Sequence, residues 1–342
     1  MTTTTVTMKK DNTGLIAALI LALVGIGAWV YQLTAGMQVT GLGNQIVWGL
    51  YIAAFFTAVG TGAGLLVLTG VSEYLPVIPS EKRVRTLYLS FSSLVVGGLL
   101  ITLDVGNPVQ IWRIITAFKF SSMMTWDFWL LAIAAVVVLV YLLAARGNKA
   151  QKVWGMLGIL SGMVVVIVEG WMLSAQAAHP MWGSGLTVLT FLLGAGIAGI
   201  SVALLGDMTN EKLLGWLKVA LGLSLVFAVV EVLTGLVGGE EEISLVLTGF
   251  AAPAFWLQLV VGLLVPMALL ARKTSVGLAA ILAVFGVLAE KVWMLAAGSA
   301  FPWMPGQQGV YSPSWVEIVA VIGMVAIGVL IYRLLPVLFK TE

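Results

Sequence analysis

Apolar residues run through this chain in ten long blocks separated by short polar breaks. The blocks cover approximately 14–34, 45–70, 85–104, 126–145, 153–178, 184–206, 213–237, 245–271, 276–299 and 314–337. Each holds the roughly 20 apolar residues that an α-helix needs to cross the hydrocarbon core of a bilayer. The pattern therefore predicts ten transmembrane helices, one to ten in chain order. The longest connections are 105–125 and 300–313, neither long enough to form a domain outside the membrane. The first block follows Lys9 and Lys10, as a signal peptide would. Its apolar run from Leu15 to Leu33 is long for that purpose, however, and no small-x-small cleavage site follows. It reads as a span.

Composition takes the same direction. The chain is 61% hydrophobic and only 9% charged, where a soluble domain carries about 25% charge. One core cannot hide that much apolar side chain from water, so lipid must be the solvent for most of the surface. The expectation is an all-α integral membrane protein, with membrane lipid as its surroundings and no nucleic acid among its partners. The net charge of +2 says less than the placement of the charges. Lysine and arginine collect in cytoplasmic loops. With the N-terminus inside, ten spans put Lys9, Lys10, Lys82, Arg83, Arg85, Arg146, Lys149, Lys152, Lys212, Lys218, Arg272, Lys273, Arg333 and Lys340 on one side. Arg113 and Lys119 fall on the other side, and Lys291 lies inside helix nine. A miscounted helix would scramble this bias. Both termini are therefore expected on the cytoplasmic side of the cytoplasmic (inner) membrane.

The chain also repeats itself. Helix five ends Glu169-Gly-Trp171-Met172-Leu173 and reaches His179-Pro180; helix nine runs Glu290-Lys-Val-Trp293-Met294-Leu295 and reaches Phe301-Pro302-Trp303. One offset relates Trp171 to Trp293 and Pro180 to Pro302. A weaker echo pairs Phe128-Trp129-Leu130 with Phe255-Trp256-Leu257. The repeat is four helices long, so its two copies point the same way through the membrane. This predicts two tandem parallel four-helix bundles, 44–182 and 183–303, flanked by helix one within 1–43 and helix ten within 304–342. Gly60 and Gly64 in helix two, beside Thr57, read as close helix packing and not as a phosphate loop.

The candidate chemistry lies in the few charges within the spans. Ionisable groups there cost roughly 2.5–3.5 kcal/mol on insertion scales and are functional candidates by default. Asp104, Asp127, Glu169, Glu231 and Glu317 fall in the outer half of the membrane or at its rim, with Glu290 and Lys291 nearer its middle. Glu169 and Gln176 are seven residues apart and share a helical face. His179 follows one turn later, roughly 15 Å along the axis from Glu169, which makes a polar stripe suited to proton movement. The bland readings stand beside these. Glu169 also reads as a packing acid, His179 as a cap before Pro180, Asp104 as a turn brace and Asp127 as a helix N-terminal acid. Trp48, Trp112, Trp126 and Trp182 read first as interfacial anchors. The chain has no cysteine and one histidine, His179. It therefore has no ligand set for an iron–sulfur cluster or a bis-histidine haem, and no metal site is expected.

Several segments resemble the NrfD/PsrC family, the polysulfide-reductase-like membrane subunits. They are Leu103-Asp104-Val-Gly106-Asn107-Pro108 with Trp112, Ser121-Ser-Met-Met-Thr-Trp126, Trp48-Gly-Leu-Tyr51 through Gly64, and Ser174 to Pro180-Met-Trp182. The likeness covers 44–205 directly and 206–303 mainly through the repeat, and it is to the ten-helix members. The resemblance implies a quinone-reactive membrane subunit of a respiratory oxidoreductase complex, of the kind used in anaerobic respiration. Such a subunit performs the quinone half-reaction, with menaquinone or ubiquinone, but has no complete active site of its own. It implies an iron–sulfur, ferredoxin-like partner, with a molybdopterin or other catalytic subunit behind it, docked on the periplasmic face near the first bundle.

On that reading Glu169, Asp104 and Asp127 supply the proton chemistry, while His179, Gln176, Arg113 and Trp126 contact the quinone. Some family members use histidine and asparagine in helix two, where this chain has Phe55 and Ile52, and Val168 replaces a frequent tyrosine. The acids must then carry more of the polar work. Two rival readings remain. A secondary transporter suits ten helices and a midplane Glu290–Lys291 pair, although many such carriers use inverted five-helix halves. A purely structural membrane anchor suits the departures at Phe55 and Ile52.

Overall fold

The computed structural model describes residues 12–147, 151–176, 179–239, 242–300 and 309–339. Lys9, Lys10, Lys149, Glu240, Glu241, Lys340 and the segment from Phe301 through Pro302 and Trp303 lie outside the described residues.

Among the described residues ten helices are long and apolar enough to span a membrane, as the ten blocks predict. They are α1 (Asn12–Ala35), α2 (Leu50–Val71), α3 (Ser80–Asp104), α4 (Met123–Arg146) and α5 (Gln151–Ser174). Then come α6 (Leu186–Leu205), α7 (Glu211–Gly238), α8 (Ala252–Ala271), α9 (Val276–Ser299) and α10 (Trp315–Leu338). Short polar residues start several of them. Ser122, Asn210 and Ser275 each accept the backbone N–H three residues on, and Ser314 with Glu317 forms a capping box.

Three boundaries differ from the apolar pattern. Helix two begins at Leu50, not near 45. Ile46 before it is 3% exposed and packs against Leu245 and Tyr311, so its apolar character reports protein packing and not a span. Helix five stops at Ser174. Pro180 lacks the N–H that would bond the Gln176 carbonyl, and the His179 N–H takes that carbonyl instead, at 2.9 Å. Gln176 and His179 therefore do not continue the helical face of Glu169. In the eighth block a separate short helix, Glu242–Leu247, precedes a break at 248–251, and α8 starts with Pro253 in its first turn, where a missing N–H costs nothing.

α2 is the most buried span, packing on α3, α5, α6, α9 and α10. Small residues permit this. A Cβ on Gly64 would lie 2.1 Å from the Ala195 carbonyl oxygen, so α2 and α6 touch backbone to backbone. Contacts also run between α3 and α4, and between α4 and α5; likewise α6 meets α7 and α9, and α8 lies against α7 and α9. α1 and α10 pair with each other, and α10 lies along α3.

Most basic residues of the described segments gather at one end. There Arg83 pairs with Glu73 at 2.7 Å, Lys82 with Asp207 at 3.5 Å, and Arg85 Nε donates to Tyr332 at 2.7 Å. Segments 36–49 and 105–122 lie at the opposite end.

Candidate functional site

Near that opposite end a cavity of about 270 Å³ opens between α2, α3 and α4. Ile52 and Phe55 on α2, Leu94 and Gly98 on α3, and Phe128 on α4 form its walls, with Trp48 just before α2 and Met172 from α5. Ile111 and Ile114 of the 105–122 segment close over it. The helical registers explain the lining. Residues 94, 98 and 101 of α3 succeed one another on one face, as do 124, 128, 131 and 135 of α4.

Two carboxylic acids face this apolar slot: Asp104 at the last residue of α3 and Asp127 in the first turns of α4. Asp127 is 3% exposed. One oxygen of each, Oδ1, is buried with no hydrogen-bond partner among the described residues. Glu169 lies behind them on α5, one turn before the cavity-lining Met172. It is fully buried, and neither carboxyl oxygen has a partner among the described residues. Asp127 and Lys291 are the charged groups that act on it electrostatically. Leaving a buried polar group unbonded costs roughly 1–3 kcal/mol. Three such acids in one region are an expense that packing alone does not require.

The other sequence-predicted positions are spread around this group. Arg113 is exposed in a one-turn helix of the 105–122 segment. Trp126 is half-buried and donates from Nε1 to the Phe120 carbonyl at 2.8 Å, bracing that segment. Gln176 is half-buried beyond the end of α5. His179 turns toward α9: its Nδ1 lies 2.7 Å from the Gly298 carbonyl, and its ring lies 4.3 Å from that of Trp182. None of these four lines the cavity. Trp182, expected as an interfacial anchor, is instead 1% exposed and donates to the Met294 carbonyl at 2.8 Å. Trp48 stacks on it at 5.5 Å.

Two polar networks join sequence-flagged charges, Glu317 in one and Glu290 with Lys291 in the other, to uncharged partners the sequence did not single out. The first ties the flanking helices to the cavity end. Tyr51 on α2 donates to Gln32 Oε1 at 2.5 Å, and Gln32 Nε2 on α1 donates to the Leu103 carbonyl at 2.9 Å, next to Asp104. Glu317 on α10 accepts from the Gly41 and Ser314 N–H groups and from Tyr311, each at 2.8 Å. Tyr311 also receives the Leu50 N–H at 2.6 Å, fixing the start of α2. Burial first, and then the Glu317 carboxylate, hold the Tyr311 phenol protonated far above the usual tyrosine range.

The second network joins α8 to α9. Lys291 pairs with Glu290 Oε1 at 2.7 Å, Gln258 Nε2 donates to Glu290 Oε2 at 3.1 Å, and Trp293 Nε1 donates to Gln258 Oε1 at 2.6 Å. Gln258 lies in the π-helical stretch Leu257–Leu264 of α8, a geometry frequent at functional positions. Its uncharged side chain in an apolar block gave no signal beforehand. Among the described residues no group of three His, Asp or Glu side chains converges on a metal-sized point.

Known proteins share this sequence at low identity over most of its length. A protein of Halobacterium salinarum assigned as a dimethyl sulfoxide reductase membrane subunit is 29% identical over 95% of this chain and 90% of its own. The Hdr-like menaquinol oxidoreductase integral membrane subunit of Archaeoglobus fulgidus is 23% identical over 94% of this chain and 93% of its own. A polysulfide reductase chain of Wolinella succinogenes is 26% identical over 75% of this chain and 96% of its own. The sequence profile of the family described as "Polysulphide reductase, NrfD" matches residues 38–302. That match covers most of the ten-helix chain, cavity and acids included, and this multi-pass membrane protein belongs to the NrfD polysulphide reductase family.

Proposed function

We propose that this chain is the membrane subunit of a respiratory oxidoreductase complex, exchanging electrons between the quinone pool and a docked iron–sulfur subunit. Relatives named as membrane subunits of reductases, one of them a menaquinol oxidoreductase, support this reading. The observation that carries it is the slot between α2, α3 and α4, apolar throughout except for Asp104 and Asp127. Quinone chemistry moves two electrons and two protons, so its site needs a flat apolar slot and groups that hold or release protons at the ring oxygens. The aromatic and aliphatic walls at Trp48, Phe55 and Phe128 provide the slot. Asp127 and Asp104, each with an unbonded oxygen, provide hydrogen bonds and proton exchange at its polar rim. Glu169, one layer deeper, is the proton reserve behind Asp127.

The chain itself offers no ligand set for haem or cluster, so electrons enter or leave through the partner. The 105–122 segment, with Arg113 and Lys119 exposed over the cavity, is the surface nearest that exchange. Lysine and arginine placement supports a periplasmic cavity, with the partner on that side and both termini in the cytoplasm.

Asp127→Asn keeps the shape of the side chain and removes its titratable proton. Quinol-coupled turnover of the purified complex is expected to fall at least about tenfold, near 1.4 kcal/mol of barrier. Activity of the soluble partner with artificial dyes is expected to persist. Normal quinol turnover in this variant contradicts the assignment.

A further inference from the structure

Among the described residues Glu169 has no hydrogen-bond partner, yet a cation is held close by in the second half of the molecule. Lys291 is 2% exposed. Its ammonium bonds Glu290 at 2.7 Å and lies 3.6 Å from the centroid of the Phe191 ring, over its face. Phe191, on α6, is also the neighbour of α5 beside Glu169. A Cβ placed on Gly170 would lie 3.4 Å from both Cβ and Cγ of Phe191. The Phe191 side chain thus stands between the Glu169 turn of α5 and the Lys291 turn of α9. That Cβ would also lie 2.8 Å from the Val188 Cα, so glycine at position 170 lets α5 and α6 approach closely here.

The internal repeat gives this contact a meaning. The offset that relates Trp171 to Trp293 and Pro180 to Pro302 also relates Glu169 to Lys291. The two copies thus carry opposite charges at one position, and Phe191 touches both the turn next to Glu169 and the Lys291 ammonium. Among the described residues no other cation is available to Glu169. Asp127 is the charged group facing it from α4, and α9 brings Glu290 with Lys291. α2 and α6, the remaining helices packed on α5, contain no aspartate, glutamate, lysine or arginine.

We infer that Lys291 is the charge partner of Glu169 across the two halves, a positioning residue that stabilises the ionised carboxylate each time Glu169 gives up its proton. While Glu169 is protonated, Lys291 rests on Glu290. When the Glu169 proton leaves toward the cavity, the ammonium slides over the Phe191 face and shares its charge with the new carboxylate. Glu290 keeps the Gln258 N–H meanwhile. Cation–π attraction keeps the intermediate position favourable. No bond forms or breaks at Lys291, and its proton stays on nitrogen. The second half of the molecule would then act as an electrostatic counterweight for chemistry in the first. This rests on the quinone-site reading only for where the proton goes, not for the pairing itself.

The test uses two readouts. Lys291→Met with Glu290→Gln removes the pair together, so no buried charge is stranded. In the isolated chain without quinone, the infrared band of the Glu169 carboxyl is identified by its loss in Glu169→Gln. The pH at which this band disappears is then followed. It is expected to rise by at least about one unit in the double variant, a tenfold change in ionisation, and to return toward the parent value in Lys291→Arg. In the assembled complex, the double variant should lower quinol kcat at least about tenfold, but by less than about twofold more in a Glu169→Gln background. Paired sites show this non-additivity and independent ones do not. An unmoved infrared band, or equal losses in the two backgrounds, overturns the pairing. A moved band with normal quinol turnover in Glu169→Gln leaves the pairing intact and instead removes Glu169 from the quinone reaction.

Discussion

Two polar regions of this protein occupy related places in the repeat and are built in opposite ways. Around α8 and α9, both oxygens of Glu290 are bonded, one to Lys291 and one to Gln258, and Trp293 completes the series of donors. Around α2 to α5, Glu169 has neither oxygen bonded, and Asp104 and Asp127 each keep one oxygen without a partner. The first arrangement is what a buried charge needs in order to persist. The second leaves hydrogen-bonding capacity unspent beside an apolar slot, which is the condition for receiving a ligand or a proton. Likeness in sequence between the two copies therefore does not mean likeness in role. Bonding saturation separates a cluster that holds its charges in place from one with oxygens left open.

The sharpest way to break this contrast is to neutralise the acid in each copy. Glu169→Gln should lower quinol-coupled turnover at least about tenfold, roughly 1.4 kcal/mol, with assembly intact. Glu290→Gln should lower it less. Steady-state turnover of the purified complexes with a short-chain quinol checks both. Equal losses would mean that Glu290 itself exchanges the proton assigned to Glu169.

A smaller effect is expected from filling the slot. Gly98 lines the cavity, and a Cβ there meets nothing within 4 Å, so Gly98→Leu fits without moving the backbone. It should raise the quinol KM about fivefold, near 1 kcal/mol. Gly215→Leu on α7, where the added Cβ also finds open space, should leave KM alone. A KM unchanged by Gly98→Leu would remove the slot from the account.

The smallest change in turnover belongs to the saturated region. Trp293→Phe deletes one donor, leaves the buried Gln258 Oε1 unpaired, and should cost roughly 1–3 kcal/mol of stability. Quinol KM should stay within error. Thermal unfolding in detergent measures the first and turnover the second; a KM shift as large as that of Gly98→Leu would erase the distinction.

These regions also show what the amino-acid order discloses. The ten spans were legible because lipid is their solvent, and apolar blocks of the right length have no other use. The start of α2 was not legible. Ile46 is apolar because it packs on Leu245 and Tyr311, and hydropathy does not tell burial in protein from burial in lipid. The three acids stood out because charges are so rare in this chain. Gln32, Tyr51 and Gln258 did not, since an uncharged polar side chain in an apolar helix is common and its partners come from distant helices. His179 was read along its own helix, whereas the early stop at Ser174 turns it to the Gly298 carbonyl of α9. The fold was written in periodicity and length, and the site in contacts between segments far apart in the chain.

Photolabelling locates the quinone most directly. An azidoquinone is activated by light in the purified complex, and the labelled peptides are then sequenced. The account predicts label in α3 and α4, around Gly98 and Phe128, lost with excess unlabelled quinone and reduced in Gly98→Leu. Competed label confined to α6 through α9, with none between residues 94 and 135, would contradict it.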